Sequence, residues 1–129
     1  MLGLAAKAVV ALVFVTTPAL AAGQIWSVIE ESSSGVMTVQ GTWTMTGDGD
    51  KITGNADMQF DDGKPFAYSL EGSKKGDIYT VTLNGRSDDK SGCIWTGHIP
   101  AGADAGSAKL IGKAQCPSGS GFVIKASRM

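Results

Sequence analysis

The chain has 129 residues, with eleven basic and twelve acidic side chains, a formal net charge of −1 and only 18% charged residues. So even a balance excludes the basic footprint of a nucleic-acid binder. Two cysteines and one histidine exclude a metal site built mainly from those residues.

Residues 1–7 carry one lysine, residues 8–15 are apolar without a break, and Pro18 precedes Ala19-Leu20-Ala21, which sets small residues at the two positions a leader peptidase reads. That pattern predicts a secretory leader cut after Ala21 or Ala22. Its apolar run falls well short of the roughly 20 residues that span a bilayer. The expected mature protein, residues 23–129, is one domain with no membrane span, exported to a periplasm or secreted. It carries ten basic and twelve acidic groups once Lys7 is gone, and no basic cluster suited to an anionic membrane.

After residue 22 the apolar positions recur every second residue, the signature of strands buried on one side. Residues 24–31 have Ile25, Trp26, Val28 and Ile29 on both faces, so the strand is expected but its register is open. Glu30-Glu31 reads as a solvated strand end. In residues 36–46, Met37, Val39, Gly41, Trp43 and Met45 alternate with Thr38, Gln40, Thr42, Thr44 and Thr46. Gly47-Asp48-Gly49-Asp50 is turn chemistry, and residues 51–61 set Ile52, Gly54, Ala56, Met58 and Phe60 against Thr53, Asn55, Asp57 and Gln59. The later inward sets are Phe66, Tyr68 and Leu70; Tyr79, Val81 and Leu83; Cys93, Trp95, Gly97 and Ile99; Ala108, Leu110, Gly112, Ala114 and Cys116; and Phe122, Ile124 and Ala126. Turn residues fill the gaps at 32–35, 61–63, 72–76, 84–91, 100–106 and 117–121. No gap has room for a crossover helix. The expected fold is all-β, an antiparallel eight-stranded up-and-down meander closed into a small barrel, which removes exposed strand edges. A two-sheet sandwich is the alternative.

Cys93 and Cys116 are the only cysteines, and an even pair in an oxidising compartment predicts a disulfide. Pairing them sets a register in which Trp95 faces Ala114 and Gly97 faces Gly112, large against small. A weak repeat runs in parallel: Trp43-Thr44, a turn, then Lys51-Ile52-Thr53-Gly54-Asn55-Ala56; and Trp95-Thr96, a turn, then Lys109-Leu110-Ile111-Gly112-Lys113-Ala114.

No catalytic constellation stands out. His98 lies on a polar face without partners, and the pairs Asp48/Asp50, Asp61/Asp62 and Asp88/Asp89 fall where turns select Asp and Gly. No serine sits in a nucleophile motif. The threonines of residues 36–46 make one outward row, which strand propensity explains. The expectation is a protein that is not an enzyme and needs no cofactor.

Starting at Gly41-Thr42-Trp43, the chain resembles the calycin-type barrels, the lipocalins and avidins. The resemblance implies a basic residue near the carboxyl end packed across the tryptophan, the place of Arg128. A strand precedes the tryptophan strand here, whereas the family puts that strand first, and no biotin contacts carry over. An eight-stranded barrel is either filled by side chains or holds one small ligand. Trp43, Phe60, Phe66, Tyr68, Tyr79, Trp95 and Phe122 are the expected interior or ligand-facing residues. Two functions follow: a non-catalytic binder of a small apolar ligand in or at the mouth of the barrel, or an interaction module. The module would inhibit an exported hydrolase or serve the envelope, presenting the loops at 84–91 and 100–106.

Overall fold

The computed structural model describes residues 23–100 and 108–129. The expected leader, residues 1–22, and most of the connection at 100–106 lie outside the described residues.

Eight strands follow in chain order: β1 (Gln24–Glu31), β2 (Met37–Asp48), β3 (Lys51–Phe60), β4 (Pro65–Lys75), β5 (Ile78–Asn84), β6 (Ile94–His98), β7 (Lys109–Gln115) and β8 (Gly121–Arg128). Each pairs antiparallel with the next, and β8 returns to β1, so the sheet is a closed up-and-down barrel rather than a sandwich. Closure gives every strand two hydrogen-bonded neighbours.

The alternation sorts the faces. Trp43, Ala56, Leu70, Val81, Trp95, Ala114 and Ile124 are buried inside, while the threonines, lysines and aspartates of the same strands face out. That is the inverse of the apolar-out, polar-in pattern a lipid-embedded barrel requires. Trp95 faces Ala114 and Gly97 faces Gly112 as the cysteine pairing demands, and Trp43 faces Ala56 in the same way. Cys93 and Cys116 are bonded at 2.02 Å, adjoining the ends of β6 and β7.

The two ends of the barrel differ. At one end, β2–β3 and β4–β5 are joined by the two-residue turns Gly49-Asp50 and Gly76-Asp77. Their glycines hold φ of +66° and +59°, which suits the first central position of a tight hairpin turn. The start of β1 and the end of β8 share this end. At the other, longer loops join β1–β2, β3–β4, β5–β6 and β7–β8, and the disulfide lies there.

Three expectations are corrected here. The turn expected at 72–76 is only Gly76-Asp77, because β4 runs on to Lys75. Gly72 is an inward strand residue whose missing side chain admits the Thr80 carbonyl of β5. Met37 is 42% exposed rather than inward, since the register shifts between Glu30 and Glu31 and releases the start of β2. Glu30 is fully buried rather than a solvated strand end. The open register of β1 is settled by Trp26, Val28 and Glu30 pointing in, with Ile25 exposed and Ile29 half-buried outside.

Candidate functional site

The middle of the barrel is solid. Trp43 and Trp95, the two indoles of the internal repeat, meet edge to face with centroids 5.2 Å apart, and neither has any exposed surface. The Trp95 indole N–H donates to the Ile124 carbonyl at 3.2 Å. The Trp43 N–H donates to the Tyr68 hydroxyl at 3.0 Å. Neither ring offers a polar atom to a ligand.

The long-loop end is plugged by charge. The Tyr68 hydroxyl donates onward to Glu30 Oε2 at 3.0 Å. Arg86, from the loop after β5, turns inward and grips Glu30 with two nitrogens, at 2.7 and 3.1 Å. The same guanidinium grips Asp88 through Nε at 2.9 Å and a terminal nitrogen at 2.7 Å. One fork thus holds two carboxylates, the geometry at which arginine is strongest. The guanidinium carbon also lies 4.6 Å from the Tyr68 ring centroid, 5.1 Å from Phe66 and 5.8 Å from Phe122. Phe60 stacks on Phe66 at 4.0 Å and 11° to complete this floor.

The electrostatics suit a permanently charged plug. Burial, reinforced by Glu30, holds the Tyr68 hydroxyl well above its usual range, so it stays protonated as a donor. Burial works against the charge on Arg86, but the hydrogen bonds to Asp88 and Glu30 outweigh it and raise its pKa further. Burial likewise disfavours the Asp88 carboxylate, yet the hydrogen bond from Arg86 leaves its pKa lowered.

The short-turn end is different. A recess of about 160 Å³ is lined by Trp26, Lys74, Asp77, Tyr79, Ile99, Ala108, Lys109, Leu110 and Arg128. Trp26 is only 3% exposed, and its indole N–H has no partner among the described residues. A buried donor without an acceptor costs about 1–3 kcal/mol and is uncommon. Tyr79 is half-buried and meets Trp26 edge to face at 6.4 Å and 71°. Ala108, at φ 57°, is the one described non-glycine residue in the left-handed region, a strained conformation on the rim.

The seven expected interior residues therefore divide three ways. Trp43 and Trp95 fill the centre; Phe60, Phe66, Tyr68 and Phe122 surround the plug; Tyr79 alone lines the recess. Trp26, the principal wall of that recess, is missing from the expected set because β1 is apolar on both faces. Arg128 is exposed and pairs in register with Trp26, not Trp43, because β8 ends at the opposite end from the plug. Arg86 is the basic residue that reaches inside. The inward faces are consequently not all apolar, and the loop at 84–91 sends Arg86 into the barrel while Gly85, Ser87, Asp89 and Ser91 stay exposed. An inward acid in β1 was the available signal, had its face been known.

No protein-family model matches the chain, and no curated protein matches it. Solved structures do. The chain is similar to a de novo designed fluorescence-activating β-barrel at 19% identity and a TM-score of 0.59, covering 81% of this chain and 91% of that one. It is similar to a redesigned β-barrel, b11L5F_LGL, at 16% identity and 0.59, covering 86% and 93%. A third, mFAP1, a redesigned barrel bound to DFHBI, gives 18% identity and 0.62, covering 85% and 96%. The likeness shows a shared barrel fold.

Proposed function

We propose that this is an exported, non-catalytic binding protein that holds a small ligand at the short-turn mouth of its barrel. One observation carries the reading: the indole N–H groups of Trp43 and Trp95 have their acceptors, while the buried N–H of Trp26, beside the recess, still lacks one among the described residues. A ligand oxygen in the recess would satisfy that donor and cover the Tyr79 ring. The fold supports the reading, since a similar barrel, mFAP1, is seen bound to a small molecule. The disulfide is compatible with an oxidising destination.

The test is a panel of small single-ring and short-chain compounds added to residues 23–129, read by tryptophan fluorescence. Binding at the mouth perturbs the emission of the native protein and not of Trp26→Phe. A panel that leaves the emission unchanged, or a response that survives Trp26→Phe, overturns the mouth as the site. Export is tested separately: protein recovered from the periplasm or medium should begin at Ala22 or Gly23. Protein found only inside the cell, still beginning at Met1, refutes it.

The alternative is an interaction module presenting the loop at 84–91, which Arg86 anchors to the barrel while Gly85, Ser87, Asp89 and Ser91 face solvent.

A further inference from the structure

The mouth has a charge as well as a shape. Lys74, Lys109 and Arg128 border the recess with one carboxylate, Asp77, between them. Three ion pairs occur among the described residues, Arg86–Glu30, Arg86–Asp88 and Lys125–Glu31, and none involves a group at the mouth. The three mouth cations thus stand without a carboxylate within ion-pair distance among the described residues. The Lys74 ammonium lies over the Tyr79 ring, 5.4 Å from its centroid.

The size is also restrictive. At about 160 Å³ the recess is near the volume of a cavity that holds one benzene ring, and below that of a drug-sized site. Trp26 and Tyr79 supply aromatic walls, and Ile99 and Leu110 apolar ones.

We infer that the ligand class is a single-ring aromatic carboxylate, its ring against Trp26 and Tyr79 and its carboxylate among Lys74, Lys109 and Arg128. One carboxylate oxygen accepts the Trp26 indole N–H. This rests on the mouth being the binding site. It explains three features together: an unpartnered buried donor, a surplus of cations, and a recess one ring wide. A neutral ligand would use the first and third and leave the second without purpose.

Benzoate, benzamide and benzamidine share a shape and carry charges of −1, 0 and +1, so the three probes separate charge from fit. The readout is the indole N–H region of a nitrogen-15 correlation spectrum, where Trp26, Trp43 and Trp95 each give one signal. The Trp26 signal is assigned by its loss in Trp26→Phe, or by through-bond assignment should that variant not fold. Benzoate is expected to shift the Trp26 signal alone and to bind about tenfold more tightly than benzamide, in keeping with one partly screened charge contact. Benzamidine is expected to bind least, and Arg128→Met and Lys109→Met to weaken benzoate while sparing benzamide. Acetate is expected to bind far more weakly than benzoate. Benzamide binding as well as benzoate overturns the anion class and leaves the mouth site standing. Acetate matching benzoate overturns the aromatic part. If none of the probes moves the Trp26 signal, while another compound of the panel does so, the aromatic carboxylate class alone is refuted. If nothing moves it, the mouth site falls as well.

Discussion

Replacing Arg86 with alanine removes the only cation facing Glu30 inside the barrel among the described residues. The glutamate has no exposed surface and would keep a single donor, the Tyr68 hydroxyl at 3.0 Å. Breaking a buried pair by deleting one member costs about 3–5 kcal/mol, because the survivor is left in a dry site without its compensating partner. For a domain of this size that is a large part of a total of about 5–15 kcal/mol. At about 4–8 °C per kcal/mol it lowers the melting temperature by about 12–40 °C. Chemical unfolding with the disulfide intact, followed by tryptophan fluorescence, measures the loss directly. The companion variant Glu30→Leu/Arg86→Met removes both charges and fills their space with carbon. It should recover most of the loss, since an apolar replacement of a buried pair is often neutral or better. Asp88 tolerates the change, being partly exposed and still bonded to the Lys90 amide at 3.1 Å. With the matching single variants Glu30→Leu and Arg86→Met, the four-protein cycle isolates the coupling between the two side chains. A loss below about 1 kcal/mol for Arg86→Ala would put the pair on a par with a surface contact and refute the plug.

Three further outcomes are expected. Cys93→Ala/Cys116→Ala removes a bridge spanning 23 residues and should cost about 3.5 kcal/mol by loop-closure entropy, read as a lower denaturant midpoint; no change would mean that residual structure in the unfolded chain already holds the two strands together. Gly112→Ala drives a methyl into the Thr96 carbonyl and to 2.8 Å from the Gly97 Cα, costing about 1–3 kcal/mol. Gly47→Ala, whose added carbon meets only the Lys51 carbonyl at 3.9 Å, should stay within about 0.5 kcal/mol, and equal losses would deny the close approach of β6 and β7. The lowered pKa of Asp88 means its contribution is complete above its unfolded value, near pH 4, and disappears as pH falls through the folded one. Wild type should therefore lose stability more steeply than Asp88→Asn as pH falls below about 4; parallel curves would remove Asp88 from the plug.

Period two, turn residues and the cysteine pair were enough to specify eight strands, the inner faces of all but β1 and the first residue of β2, and the β6–β7 register. These are local properties: a side chain two residues on points the same way, and a disulfide fixes its strands at one spacing. Trp43 and Trp95 were legible as inward, yet their meeting at the barrel centre was not, because it depends on how far the sheet curls before closing.

The division into a plugged floor and a recess at the opposite end belongs to the tertiary structure alone. Glu30 and Arg86 are 56 residues apart, one in a strand apolar on both faces and the other in a turn-rich loop, so no periodicity links them. Trp26 shares that strand, and nothing nearby in sequence says whether it or Ile25 turns inward. The tertiary register decides it: Trp26 pairs with the inward Trp43 of β2, and closure of β8 onto β1 then buries that face of β1 with its acid and its indole. The acid then meets an arginine at the floor, and the indole N–H is left facing the mouth.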